Sequence, residues 1–254
     1  MLQEFIDLWL FSFLLIFTRV GTALMLMPGI GDSFTPTNVR LLFALGLSLV
    51  MTPVLVNFLP GTPSTPAAMF FLITSEVIVG FFIGTIMRVL MSAIDTMGMI
   101  VSLNTGFANA QVFNPGLGTQ GSIIGALMTI FGTTMILTSN MHHFLLLSIF
   151  ESYQLFDPNI LFQYTGQMAD IIAQVVNASF NTGVKLAMPF IIVSLIIYLG
   201  FGLLGRLMPQ IQVFFLALPV QIVVATLTLF FVFSSVILFF LSYYEEAVTR
   251  FLAL

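Results

Sequence analysis

NTGFANAQVFNPGLGTQG, residues Asn104–Gly121, holds four glycines, three asparagines and one proline, and carries no formal charge. Long apolar runs flank it on both sides. Proline lacks a backbone donor and glycine is conformationally loose, so Pro115 beside Gly116 and Gly118 excludes a continuous helix. Disordered linkers are usually charged and poor in aromatics, whereas this stretch contains Phe107 and Phe113. In a bilayer, irregular backbone survives at depth only where protein buries it or it lines a wet cavity. The stretch is therefore expected to fold inward between two membrane helices and to carry function. The fold class that follows is an all-α integral membrane protein. It has about six long hydrophobic helices in hairpins, with this loop between the third and the fourth.

Composition points the same way. Of 254 residues, 59% are hydrophobic and only 6% charged, with a mean hydropathy of +1.14. A soluble domain carries about 25% charged residues, so this chain could not cover a water-facing surface. The apolar segments use nearly all of it and leave no room for a soluble catalytic domain. Glu4 and Asp7 stand where a signal peptide would have basic residues, so the first segment is expected to be retained. With no cysteine, disulfides, thiolate nucleophiles and cysteine metal sites are excluded. A net charge of −4 without any basic run argues against nucleic acid and against headgroup recognition.

The first apolar segment spans about Phe5 to Met27 and contains Arg19, expected to snorkel toward an interface. A proline- and glycine-rich turn follows. Asn38 is expected to cap a second helix over Val39–Val56. Pro60, Pro63 and Pro66 stiffen the next linker. The third segment, about Ala67 to Leu103, is longer than one crossing needs. On it Glu76, Gly80, Gly84 and Arg88 recur at steps of four and Asp95 continues the stripe. Gly80 and Gly84 form a small-xxx-small pair that admits a second helix closely. The charges read as an interhelical ion pair that fixes assembly, in preference to a proton relay.

Segment four covers Ser122–Thr138 and opens with a second such pair, Gly121 and Gly125. Adjacent His142 and His143 point about 100° apart on a helix, so together they cannot chelate a metal. Residues Glu151–Gln163 read as an exposed acidic loop around Asp157-Pro158. Segment five runs from about Ala169 to Leu199, with Lys185 inside and Pro189 expected to kink or break it. Gly200–Gln212 reads as a turn, and Val213–Tyr244 as the last segment. Arg40 and Arg206 place the turns after segments one and five in the cytoplasm by the positive-inside rule.

No GxSxG, HExxH, P-loop or GxGxxG motif occurs, so a membrane-embedded enzyme has no signature and no cofactor is implied. Met87, Met91, Met97, Met99, Met128 and Met135 flank the loop, where flexible thioethers can fill irregular gaps. Charged Glu76, Arg88, Asp95 and Lys185 leave a small-solute or proton transporter as the competing class.

Four stretches carry a resemblance to a known family. They are Arg19 followed by PGIGDSFTPTNVRLLFALGLSLVMTP (28–53), GMIVSLNTGFANAQVFNPG (98–116), Asn140–His143, and GLLGRLMPQIQVFFLALPVQI (202–222). Together they resemble the FliR/SctT family of type III secretion export-gate subunits, and the flagellar branch more than the injectisome branch. The resemblance implies a subunit of the export gate in the bacterial inner membrane, at the flagellar basal body. Residues 1–150 would be the part similar to FliP and residues 151–254 the part similar to FliQ. Implied partners are FliP and FliQ in a helical hetero-oligomer, FlhB around its cytoplasmic side, exported flagellar proteins in transit, and lipid. Loop 106–120 would plug the closed pore, with Gly106, Phe107, Phe113, Asn114, Pro115, Gly116 and Gly118 as its working residues. Gly80, Gly84, Gly121, Gly125, Arg88 and Asp95 would pack against other subunits. Arg206, Pro209, Gln210 and Pro219 would form a cytoplasmic-side turn.

Overall fold

The computed structural model describes residues 2–107, 122–156, 158, 161–208 and 213–252, and the described residues hold helices and no strand. In chain order these are α1 (Leu2–Leu26), α2 (Thr37–Leu55), α3 (Pro66–Thr105), α4 (Ile123–Thr138), α5 (His142–Leu155), α6 (Leu161–Leu207) and α7 (Val213–Leu252). The fold is all-α. Among the described residues five helices are long and apolar enough to cross a membrane, and the broken pair α4–α5 makes a sixth crossing if taken as one. Without water to compete, only helices or closed barrels satisfy the backbone in hydrocarbon. A chain this apolar with helical runs this long has one of those two solutions open to it.

Several expected boundaries move. α2 begins at Thr37 with Pro36 at the cap position and no side-chain cap, so Asn38 does not perform that role. Pro189 does not break α6, which stays helical over 47 residues, and Gly200 to Leu207 continue it instead of forming a turn. The supposed acidic loop begins as the last turn of α5, where Ser152 and Tyr153 are buried. Asn140, with a φ of 58°, stands between α4 and α5 in a left-handed conformation that asparagine tolerates.

The helices gather into two compact units. One comprises Met1–Leu90, Ile136–Val176 and Glu245–Leu254, and the other Met91–Met135 and Asn177–Tyr244. In the first, α1 packs on α3 through small residues. A Cβ built at Gly80 would fall within 3.0 Å of Thr22 Oγ1 and of the Arg19 carbonyl oxygen. One at Gly84 would lie 2.8 Å from Leu26 Cβ and 2.9 Å from the Ala23 carbonyl oxygen. Leu15, Ile16, Val20 and Ala23 of α1 and Val79, Ile83, Ile86 and Met87 of α3 are buried there. In the second unit, Gly98 and Gly125 bring α3 and α4 into backbone contact. Gly183 of α6 meets the Ala93 carbonyl oxygen, where an added Cβ would lie 2.7 Å away.

Burial is uneven. The apolar window of α3 is 61% buried, whereas those of α6 and α7 are 22% and 17% buried. α3 is thus the helix the chain packs around, and α6 and α7 present broad apolar faces outward.

Candidate functional site

The root of the Asn104–Gly121 loop is built from both of its ends. α3 stops at Thr105, and Gly106 follows with a φ of 82°, the left-handed C′ position that glycine takes without strain. The last turn of α3 folds its polar side chains back on itself: Asn104 Nδ2 donates to the Ile100 carbonyl at 2.8 Å and Thr105 Oγ1 to that of Val101 at 2.7 Å. On the return side Ser122 caps α4, accepting from the Gly125 N–H at 2.9 Å. The same Ser122 hydroxyl reaches the Gly98 carbonyl at 2.8 Å and lies 2.6 Å from the Ser102 hydroxyl. The glycine contact therefore removes the bulk that would hold the stems apart, and the serine pair ties them.

The flanks described on either side of the stretch meet through Ser102 and Ser122. Gly106 is buried and Phe107 half-buried. Phe113, Asn114, Pro115, Gly116, Gly118 and Gly121 lie outside the described residues, as do Pro209 and Gln210.

Beside the root, Tyr198 of α6 donates its hydroxyl to the Asn104 carbonyl at 3.2 Å. A cleft of about 210 Å³ opens there, lined by Asn104, Thr105, Phe190, Val193, Ser194, Ile197, Gln221, Ala225 and Thr228. The surface it exposes is almost wholly apolar, although Asn104, Thr105, Ser194, Gln221 and Thr228 stand among the lining residues. Met91, Met97 and Met128 are buried in this unit, while Met99 is exposed.

A second polar centre lies in the other unit. Arg19 is fully buried, so the expected snorkelling does not occur. Its Nε meets Glu76 Oε2 at 2.5 Å, and Glu76 is also fully buried. The physical reason is the face it occupies: Arg19 shares α1 with Leu15, Ile16 and Val20, which are all fully buried, and its acceptors come from within the fold. A paired, hydrogen-bonded guanidinium is far cheaper there than an unpaired one.

The turn between α1 and α2 is also tightly built. Asp32 accepts from the Gly29 N–H at 2.8 Å and pairs with Arg88 of α3. Arg40 closes the turn from α2 by donating to the Thr35 carbonyl at 2.8 Å and to that of Asp32. Gly29 has a φ of 86°, and a Cβ at Gly31 would collide with the Met25 and Met27 carbonyl oxygens.

The stripe on α3 is therefore engaged inside the chain. Glu76 and Arg88 form ion pairs, Gly80 and Gly84 pack on α1, Gly125 packs on Gly98, and Asp95 accepts from Thr129 of α4. Lys185 is exposed on α6. Arg206 is exposed in the last turn of α6, where a cation suits the negative end of the helix, and Pro219 is exposed inside α7. From sequence, Ser122, Ser102, Tyr198 and Tyr153 have no assigned role, whereas Asp32 falls in the turn after the first segment. Ser122 alone had a local signal, a serine directly before an apolar helical run. Among the described residues no cluster of three or more His, Asp or Glu could hold a metal ion.

The family described as bacterial export proteins, family 1, matches residues 10–247. The chain is 34% identical to the flagellar biosynthetic protein FliR of Caulobacter vibrioides over 91% of its own length and 92% of that protein's. It is 30% identical to the protein of that name from Aquifex aeolicus, over 87% of this chain and 84% of the relative. Similarity extends to the secretion system apparatus protein SsaT of Salmonella typhimurium, 29% identical over 62% of this chain and 61% of that one. A match that begins in α1, ends in α7 and takes in both the loop root and the buried charges shows that this chain belongs to the bacterial export proteins of family 1, the family of FliR.

Proposed function

We propose that the chain is a pore-forming subunit of a flagellar type III protein export gate in the bacterial inner membrane. It assembles with FliP and FliQ subunits, is contacted by FlhB, and passes unfolded flagellar proteins. Loop 106–120 plugs the closed pore. Residues 1–150 act as the FliP-like part and 151–254 as the FliQ-like part. The observation that supports this reading most is the loop root. A glycine contact and a serine pair fix both stems, which suits an uncharged segment presented at one set place in a pore. Phe107 and Phe113 serve as apolar stoppers, and the absence of charge keeps the loop from retaining a passing chain of either sign. The chain supplies no nucleotide chemistry, so energy for export comes from other components.

The outward apolar faces of α6 and α7 fit a subunit that is covered by neighbours. A small-solute or proton pathway is less well supported, because Glu76, Arg88 and Asp95 are all committed to partners within the chain. Affinity purification in mild detergent tests the assignment. The tagged chain is expected to bring down several companion membrane subunits in one large complex. Recovery as a lone monomer from export-competent cells would refute it.

A further inference from the structure

We propose that Arg19 is a positioning residue for export: one guanidinium sets the arrangement of α1, α3 and α5 against which companion subunits dock, and the Arg19–Glu76 pair carries no protons. The proposal rests on the export reading above. Arg19 projects from α1 and serves three acceptors in different directions. Nε donates to Glu76 of α3 at 2.5 Å, one terminal nitrogen to Ser152 Oγ at 3.1 Å, and the other to the Phe156 carbonyl at 3.3 Å. Its carbon centre lies 3.8 Å from the Tyr153 ring centroid, within cation–π range. One side chain thus joins the first helix to the third and to the end of the fifth.

Two features separate a positioning role from a transport role. A guanidinium keeps its protons in proteins, so it cannot pass one on. Both members of the pair are fully buried, which leaves neither side chain open to water. Nor does overall stability demand the pair, since apolar residues of similar volume commonly replace a buried ion pair at little loss. What such residues cannot supply is a fork of donors that fixes direction as well as contact. The same three helices carry Leu10, Phe81 and Leu147 on the outside, so their relative placement sets the shape of the apolar surface shown to partners.

The test uses cells whose export depends on this chain, and follows its membrane level, the copurified complex and the exported protein. Arg19→Ala and Glu76→Gln each leave one buried charge uncompensated, and the level, complex and export are expected to fall at least ~10-fold. Replacing both together, Arg19→Met with Glu76→Leu, is expected to restore the membrane level to within about threefold of wild type while complex and export stay low, because the fork of donors is missing. Full recovery of complex and export would overturn the proposal. A double variant that enters the complex at the normal level yet exports nothing would overturn the proposal, because the charges would then act in transport. Arg19→Lys provides a second arm if the double variant is degraded. A single ammonium cannot hold three divergent acceptors, so loss of complex and export is expected, and unchanged export would overturn the proposal. Normal export in cells lacking the chain would instead refute the export reading itself.

Discussion

Glu76, Gly80, Gly84 and Arg88 show how far a residue pattern can be read. Steps of four place them on one face of a helix, and that face is indeed where α3 is engaged. Spacing says nothing of what arrives opposite, and here Arg19 comes from 57 residues away and Ser152 from 133 away from Arg19. The reading of an ion pair was therefore legible, but its partner was not. Glycine gives a sharp test at this scale. Gly80→Ala and Gly84→Ala each force a Cβ into α1 backbone and are expected to cost roughly 1–3 kcal/mol, read as a lower thermal midpoint of the purified chain in detergent. Gly21→Ala and Gly46→Ala have open space within 4 Å and should be neutral or raise the midpoint, since alanine is the better helix former by about 1 kcal/mol. Equal losses at all four positions would mean that α1 and α3 do not touch as described. Asp32→Ala removes a buried acceptor from the Gly29 N–H and should cost about 1–3 kcal/mol. Arg88→Ala, whose side chain is half exposed, should cost less than about 1 kcal/mol in the same measurement.

At the scale of elements, the loop announced itself because its composition broke the pattern on both sides, and α3 ends at Thr105 while α4 begins at Ile123. Its rooting was less legible, since no sequence rule pairs Ser102 with Ser122 or Gly98 with Gly125. The misread ends of α5 and α6 share one cause. Glycine, proline and polar side chains are turn signals in water, where the backbone has other partners. In hydrocarbon the helix is the way to satisfy the backbone, so α6 continues through Pro189 and Gly200. Ser122→Ala tests the root. It removes the α4 cap and the tie to Gly98, and is expected to cost about 0.5–2 kcal/mol and to increase proteolysis between α3 and α4. Ser122→Thr retains the hydroxyl and should behave as wild type. Unchanged proteolysis in the alanine variant would show that the serine does not hold the stems.

For the whole molecule, helix length and exposure say more than any single residue. At 1.5 Å per residue α6 is about 70 Å long and α7 about 60 Å, against about 30 Å of hydrocarbon. Such helices, largely uncovered by their own chain, are suited to neighbours over much of their length. Phe230 and Phe231 are each 77% exposed, so replacing both with asparagine should leave the fold of the isolated chain intact while reducing recovery of the complex. Size-exclusion of the copurified assembly reads that outcome, and full assembly with both replaced would place the partner surface elsewhere. Whether loop 106–120 closes the pore, as proposed, is read by ion conductance across membranes holding the assembled complex with that loop deleted. The complex is expected still to form and the membrane to become leaky to small ions. An assembled, ion-tight complex lacking the loop would contradict pore closure by the loop.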